Sequence, residues 1–557
     1  MKGCRSYILH FLIVCLLAGG AQASLQAQDL AAIGDGNPFT IDGSVSAQST
    51  TYEASDIAAR RQSFTWLLSG NLNIGVYDVA IPLSFSISDR GSDFSQPFNQ
   101  FGLSPHYEWV TAHLGHRNLR FSRYTLAGHQ ILGAGLELTP GILRFAVIGG
   151  QFRAAVEEDT TTRLLQIPSY ERTGYSVKLG VGSGQNFFDL IYLKASDDTN
   201  SIGSLSSRSQ IQPGENAVFG INSRFQPMQQ LSVWADVGVS AYTRNVRSLE
   251  VLDQSAEVEA ASSVIDPKMS TQVYTALHSG LRFTQAAYGM SLEYTRVDPD
   301  YQSMGAYFLA SDVHRIAFSP NFSVMNHTLR FNGTLAWQQD NLQDKKMATT
   351  TRISPILNIS YNPAPEFGVD LQYTDMFTSQ EDGTVRLTDT TRMDQSMPSI
   401  SLTPRLVLRD STKVHTVVAT AMHSQLQDNN EFSRRFTRFE SSNVSLNYNL
   451  ALVREALSFS ASVSGNRLDN LAGRITSMSY SLGAEKSFAN PQLSLSLTFA
   501  GSTRQQGSAT NIILGVGYRP AEQHSFNMST SLTSASYDVD NSSFTEFTTT
   551  ARYVFSF

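Results

Sequence analysis

From about residue 39 onward, apolar and polar residues alternate one by one through segment after segment. In "FTWLLSGNLNI" the residues Phe64, Trp66, Leu68, Leu72 and Ile74 share one face, and in "IPLSFSIS" Ile81, Leu83, Phe85 and Ile87 do so. The face between the latter carries only Pro82, Ser84, Ser86 and Ser88. The pattern returns in "LRFNGTLAW", "NVSLNYNLAL" and "LSLSLTF". A period of two defines strands, each here with one greasy face and one small or polar face.

The connections alternate as well. Tight turns at 139–141, 183–186, 227–230 and 362–366 are interleaved with long polar stretches at 197–215, 244–272, 339–350, 378–397 and 426–441. Short turns on one rim and long loops on the other are the layout of a membrane barrel. The expected fold is all-β: a transmembrane antiparallel up-and-down barrel of about 26 strands (24–26), filling 39–557 and without a plug domain. The count of 26 requires 98–104 and 108–117 to be a pair joined near Pro105. A large soluble all-β protein alternates in the same way, but no domain break interrupts 39–557 and the last strand ends on Phe557. Trp109, Tyr242, Tyr294, Trp337, Tyr373 and Tyr518, at strand ends, are expected in the interfacial girdles.

The amino terminus settles the compartment. Lys2 and Arg5 precede the apolar run "ILHFLIVCLLAGG", followed by "AQASLQAQ". This reads as a secretory signal peptide spanning 1–23, with cleavage after Ala23 or, as second choice, Ala27. Residues 24–38 then form a short periplasmic segment. Both cysteines, Cys4 and Cys15, lie in the signal, so the exported chain is not a disulfide scaffold. Loss of Lys2 and Arg5 takes the formal charge of −7 to about −9, which gives no footing for nucleic acid. No later stretch is long and apolar enough for a membrane helix.

The closing "RYVFSF" resembles the carboxy-terminal strand of outer-membrane β-barrel proteins, with a final aromatic and apolar residues two and four positions before it. That resemblance implies that Tyr553, Phe555 and Phe557 serve as a signal to the barrel-assembly machinery. The blocks "DLAAIGDGNPFTIDGSVSAQS", "FNQFGLSPHYEWVTAHLGHRNLRFSRYTLAGH", "YTRVDPDYQSMGAYF" and "DNLQDKK" resemble a family of large outer-membrane barrels of Gram-negative bacteria. The resemblance implies the fold and the outer membrane. It supplies no substrate and no catalytic residue.

In such a barrel the charged residues belong on the small-residue side. Face assignment puts Arg144, Asp189, Arg224, Asp236, Arg282, Glu293, Arg330, Asp370, Arg405, Glu485 and Arg552 there. Of these, Asp236, Arg282, Glu293, Arg330, Arg405 and Arg552 are the candidate lumen-lining charges. Their mixed sign suggests mutual satisfaction, whereas a ladder of one sign would suggest ion selection. Barrels of 16–18 strands already leave a water channel, so a 26-stranded lumen must be narrowed by inward-folded loops or by a partner. The candidate constriction loop is 296–312, with Asp298, Asp300, Tyr301, Met304, Tyr307 and Phe308. Asp298-Pro299-Asp300 favours a turn, and the aromatics are too apolar for a loop left in water. In 117–129, arginines interleave with Phe121 and Tyr124, a pattern suited to loop packing or to stacking on a sugar.

Catalytic and metal chemistry find no footing in the pattern. His113 and His116 fall on opposite faces of one strand, which breaks up a three-histidine site with His129. His415 and His423 share a face but stand about 26 Å apart at strand rise. There is no nucleophile elbow, zincin helix or phosphate loop. Neither 428–431 nor 538–541 follows the calcium-loop spacing. The sequence therefore points to no enzyme, cofactor or metal. It points to a barrel that passes polar solutes or an exported polymer, or else to a surface-assembly, secretion or anchoring barrel that holds a periplasmic or surface protein. Its other expected partners are outer-membrane lipid and, during biogenesis, the assembly machinery.

Overall fold

The computed structural model of the chain describes residues 39–557 apart from 78, 90–99, 159–167, 204, 207–208, 251–255, 308, 490–491 and 539–541. The signal peptide and the segment 24–38 lie outside the described residues. All strands belong to one antiparallel sheet. The first, β1 (Thr40–Ser55), pairs with both β2 (Phe64–Val76) and the last, so the sheet closes on itself.

The rest of the first half runs β3 (Val79–Ser88), β4 (Gln100–Leu103 with His106–Tyr107), β5 (Val110–Arg117), β6 (Ile131–Leu138), β7 (Leu143–Arg153), β8 (Arg172–Ser183), β9 (Asn186–Asp197), β10 (Glu215–Met228), β11 (Leu231–Thr243), β12 (Thr271–Thr284) and β13 (Tyr288–Val297). The second half runs β14 (Val313–Val324), β15 (Leu329–Gln339), β16 (Ala348–Ala364), β17 (Phe367–Thr374 with Phe377–Asp382), β18 (Asp394–Ser396 with Ser399–Arg409), β19 (Lys413–Asp428), β20 (Phe439–Leu452), β21 (Leu457–Asn470), β22 (Gly473–Ala489), β23 (Gln492–Arg504), β24 (Gly507–Ala521), β25 (His524–Tyr537) and β26 (Ser542–Ser556). Three of these strands are interrupted. β4 breaks at Ser104-Pro105, and both its pieces pair with β3 and β5, so the turn to β5 is 108–109 and not near Pro105 as expected. The two pieces of β17 share β16, and those of β18 share β19. The barrel thus has 26 strands, as the alternating pattern predicts.

Connection lengths depart from strict alternation. Loops on the outer rim are long up to β20, but β21–β22 and β23–β24 are joined there by two residues each, 471–472 and 505–506. The rim is therefore low on one side of the barrel.

Alternation sorts the side chains between two solvents. Leu446 against Ala419, Leu497 against Leu514 and Tyr518 against Phe526 are outward pairs, with Leu497 53% exposed. Exposed large apolar side chains at this density need lipid around them, so the barrel spans a membrane. Tyr242, expected in the girdle, lies instead on the inner face. The outward positions of β11 are Val233, Val237, Val239 and Ala241, and Tyr242 falls between them to pack against the interior clusters. A short helix, α1 (Ala256–Ala261), does fold outward: Ala261 and Ile265 pack on Ala217 and Ala241.

The buried core is inside the barrel, on one half of the wall. One cluster joins Phe121, Leu126 and Met304 to Ile148, Phe152, Leu193 and Val218 of β7, β9 and β10. A second joins Tyr124 and Tyr301 to Tyr274 and Ala276 of β12 and Val297 of β13.

Candidate functional site: a two-sided lumen

Two loops, 118–130 after β5 and 298–312 after β13, make this core by turning into the lumen. The wall admits them through glycines. A methyl on Gly220 would lie 2.4 Å from the Thr125 methyl, and one on Gly238 would lie 2.3 Å from the Tyr301 hydroxyl oxygen. Either separation is below any tolerable contact, so these positions need the absence of a side chain.

Inward polar residues of β10 and β11 then bind the loop backbones. Asn222 Nδ2 donates to the Phe121 carbonyl at 3.1 Å, and the Asp236 carboxylate accepts the Arg123 N–H at 2.8 Å. Asn216 Oδ1 accepts the Met304 N–H at 2.9 Å, while the Ser240 hydroxyl donates to the Gln302 carbonyl at 2.6 Å. Buried backbone groups must find partners, and the strands supply them.

The loops are also bound to each other. The Tyr301 hydroxyl donates to the Tyr124 carbonyl, the Ser303 hydroxyl to the Thr125 carbonyl, and the Ala127 N–H to the Gly305 carbonyl. The Tyr307 ring stacks on His129 at 3.8 Å between centroids. Burial pushes the Tyr301 and Tyr124 hydroxyls above the usual tyrosine range. Burial also holds the His129 imidazole down, to about 4, with Arg172 and Arg153 adding to the effect.

The residues proposed for a constriction loop divide as follows. Tyr301 and Met304 are buried against the wall, and Tyr307 contacts His129. Asp298 closes the loop base, its carboxylate accepting from the Thr275 N–H at 2.7 Å and hydroxyl at 2.6 Å. Asp300 adopts a left-handed φ of 59° at the turn. Phe308 lies outside the described residues. Phe121 and Tyr124 are 4% and 2% exposed, so they are packing residues with no face left for a sugar. Loop packing is thus the alternative realised in 117–129, and the glycine-lined wall allows it by letting both rings sink into the interior.

The lumen charges are not mutually satisfied. Arg144 and Asp189 do pair, at 2.7 Å. Asp236, Arg282, Glu293, Arg330, Arg405 and Arg552 lie on the inner face by register but make no ion pair among the described residues. Asp236 is taken up by a loop N–H, and Arg282 lies 5.8 Å from the Trp234 ring. Arg330, second in β15, and Arg405, Arg519 and Arg552, each within the last five residues of its strand, stand at the inner mouth. Distance across the sheet does not by itself decide which charges meet: Arg144 and Asp189 stand two strands apart, on either side of Gly180, and pair, whereas Arg282 and Glu293 lie on adjacent strands and do not.

At the carboxy terminus, Phe557 exchanges backbone hydrogen bonds with Gly43 of β1, at 3.1 and 2.8 Å. Tyr553 and Phe555 point outward beside Phe526 and His524. The histidines are dispersed. His113 faces inward, 3.1 Å from Glu137; His116 faces outward against Phe101; and His129 belongs to the loop pair. Among the described residues no group of three metal-ligating side chains converges.

A closed antiparallel sheet of 26 strands with an apolar outer belt and a polar lumen defines the class: a membrane-spanning β-barrel. No family model and no curated protein matches the chain. Solved structures similar to it include OccK2 (OpdF) of Pseudomonas aeruginosa, at 10% identity and TM-score 0.29 over 93% of this chain and 98% of that one. The outer membrane protein OprD of Pseudomonas aeruginosa has 10% identity and TM-score 0.29 over 93% and 94%. The P pilus usher (PapC) translocation pore has 10% identity and TM-score 0.36 over 92% and 99%. The fold assignment rests on the closed strand ladder itself.

Proposed function

We propose that the chain is an outer-membrane conduit for polar solutes, narrowed from within by loops 118–130 and 298–312. One observation carries this reading: the two loops are built into one half of the wall, while the opposite half presents a polar inner face to which no loop hydrogen-bonds at mid-height among the described residues. A barrel that served only as an anchor would have no need for a loop pair seated by glycines and inward Asn, Asp and Ser. The aromatic carboxy-terminal strand would be the feature read by the assembly machinery, and the apolar belt meets outer-membrane lipid.

The test is single-channel recording of the purified full chain in planar bilayers. Steady current that rises when residues 299–311 are replaced by a short Gly-Ser linker is the expected result. A barrel that carries no current and co-purifies with a stoichiometric periplasmic or surface protein would give the chain a holding role instead.

A further inference from the structure

The half of the lumen left bare by the loops has a chemistry of its own. On β21 the inward positions Ser458, Ser460, Ser462 and Ser464 follow one another, and Ser479 and Ser481 face them from β22. The same short hydroxyl and amide side chains occupy the mid-height inner face from β18 to β26 and on through β1 to β2, interrupted by glycines, Ala500 and the aliphatic Leu67, Val418, Met422 and Ile513; at β3 the arc ends, where the Arg117 guanidinium reaches Ser84 and the Pro82 carbonyl. Charges on this arc stand only toward the ends of the strands. Asp42, Arg405, Arg409, Glu485, Arg519 and Arg552 lie toward the inner mouth, and Asp428, Arg504 and Glu546 toward the outer one. Its aromatic residues, Tyr52, Phe439, Tyr537 and Phe544, also lie at the outer ends.

Such a wall binds weakly by construction. Its hydroxyls are partly occupied with one another: Ser462 with Ser481 at 2.6 Å, Ser46 with Ser69 at 2.9 Å and Thr50 with Thr550 at 3.2 Å. Each retains capacity to exchange a hydrogen bond with water or with a solute hydroxyl. Among the described residues of this arc no mid-height charge stops an ion, and no ring offers a stacking face. Conduction requires attraction weak enough to let the solute leave, and a surface of this kind meets that condition for neutral, hydrogen-bonding molecules.

We infer that the solute is an uncharged, polyhydroxylated molecule of the oligosaccharide class, which slides along the serine-rich arc without being retained. The inference rests on the conduit reading.

The experiment is swelling of liposomes carrying the full chain, with neutral sugars from a mono- to a tetrasaccharide and with a carboxylated oligosaccharide of matched length. Neutral sugars should enter several-fold faster than the matched acid, at rates linear in concentration. In the Ser462→Asp/Ser481→Asp variant, the ratio of neutral-sugar entry to acid entry should rise several-fold further. Saturating entry of neutral sugar, or faster entry of the acid into wild-type liposomes, would overturn the inference. Ion current in bilayers without entry of any sugar would overturn it and leave the conduit standing. Absence of both current and swelling would remove the conduit reading, and the inference with it.

Discussion

The Tyr301 hydroxyl donates a 2.8 Å hydrogen bond to the carbonyl of Tyr124, joining two loops 177 positions apart in the chain. The rings meet edge to face at 5.8 Å, and both side chains are almost fully buried inside the barrel. This contact couples the loops, since neither ring can leave the wall without disturbing the other.

Replacing Tyr301 should therefore free both loops. Truncation of a buried aromatic costs about 3–5 kcal/mol, here taken from the seating of the loops and not from the strand ladder. Tyr301→Ala is expected to raise mean conductance and current noise and to expose 118–130 and 298–312 to protease, with the barrel still folded. Tyr301→Phe removes only the hydroxyl and should cost about 1 kcal/mol, with a correspondingly small rise in noise. Unchanged current and protease resistance in the alanine variant would separate these loops from the pore.

Gly238 allows an orthogonal check. A methyl there would lie 2.3 Å from the Tyr301 hydroxyl oxygen and 2.7 Å from Tyr124 Cβ, whereas one on Gly465 of β21 meets nothing within 4 Å. Gly238→Ala should reproduce the released-loop behaviour of Tyr301→Ala, and Gly465→Ala should behave as wild type. Equal behaviour of the two glycine variants in bilayer recordings would show that the loops sit elsewhere.

How much of this was legible beforehand follows from the same residues. Strand number and facing come from a period of two, which a one-dimensional pattern carries, so Arg282, Arg330, Arg405 and Arg552 can be assigned to the lumen by parity alone. The apolar content of 296–312 likewise signals burial. Which wall the loop lies on depends on Gly220 and Gly238, and nothing in their sequence surroundings distinguishes them from the other glycines of the strands. Tyr242 departs from the girdle expectation because an aromatic at a strand end reads the same whether lipid or a loop covers it. Salt-bridging depends on what stands between two inward charges, as Gly180 does between Arg144 and Asp189, and parity does not supply that.

The loops should respond to acid. His129 is held at about 4 while buried, against an ordinary value of 6.5. Between those values a released loop takes up a proton that the seated loop refuses. Seating is thus at full strength above pH 6.5 and weakens as pH falls to about 4, below which it changes no further; the total loss is up to about 3 kcal/mol. Tyr307 stacks on the ring, and Arg153 and Arg172, both paired with Asp197, supply the neighbouring positive charge. Hydrogen exchange in 118–130 should accelerate from pH 7 to pH 4.5, after correction for intrinsic rates, and His129→Gln should flatten that dependence. Equal acceleration in the glutamine variant would place the sensitive group elsewhere.

Arginines of the same wall should divide into two kinds when neutralised. Arg405, Arg519 and Arg552 face the inner mouth without an ion partner among the described residues, so Gln at all three removes positive potential at little structural cost. The reversal potential in a salt gradient should move toward cation preference, with the barrel's melting behaviour unchanged. Arg144 differs because its partner Asp189 is 1% exposed. Arg144→Gln strands that carboxylate and should cost about 3–5 kcal/mol, seen as lower refolding yield and a lower unfolding temperature. Asp189→Asn in the same chain should restore much of that loss by removing the stranded charge. A mouth variant that unfolds early, or an Arg144 variant that changes only selectivity, would reverse the assignment of paired and unpaired arginines.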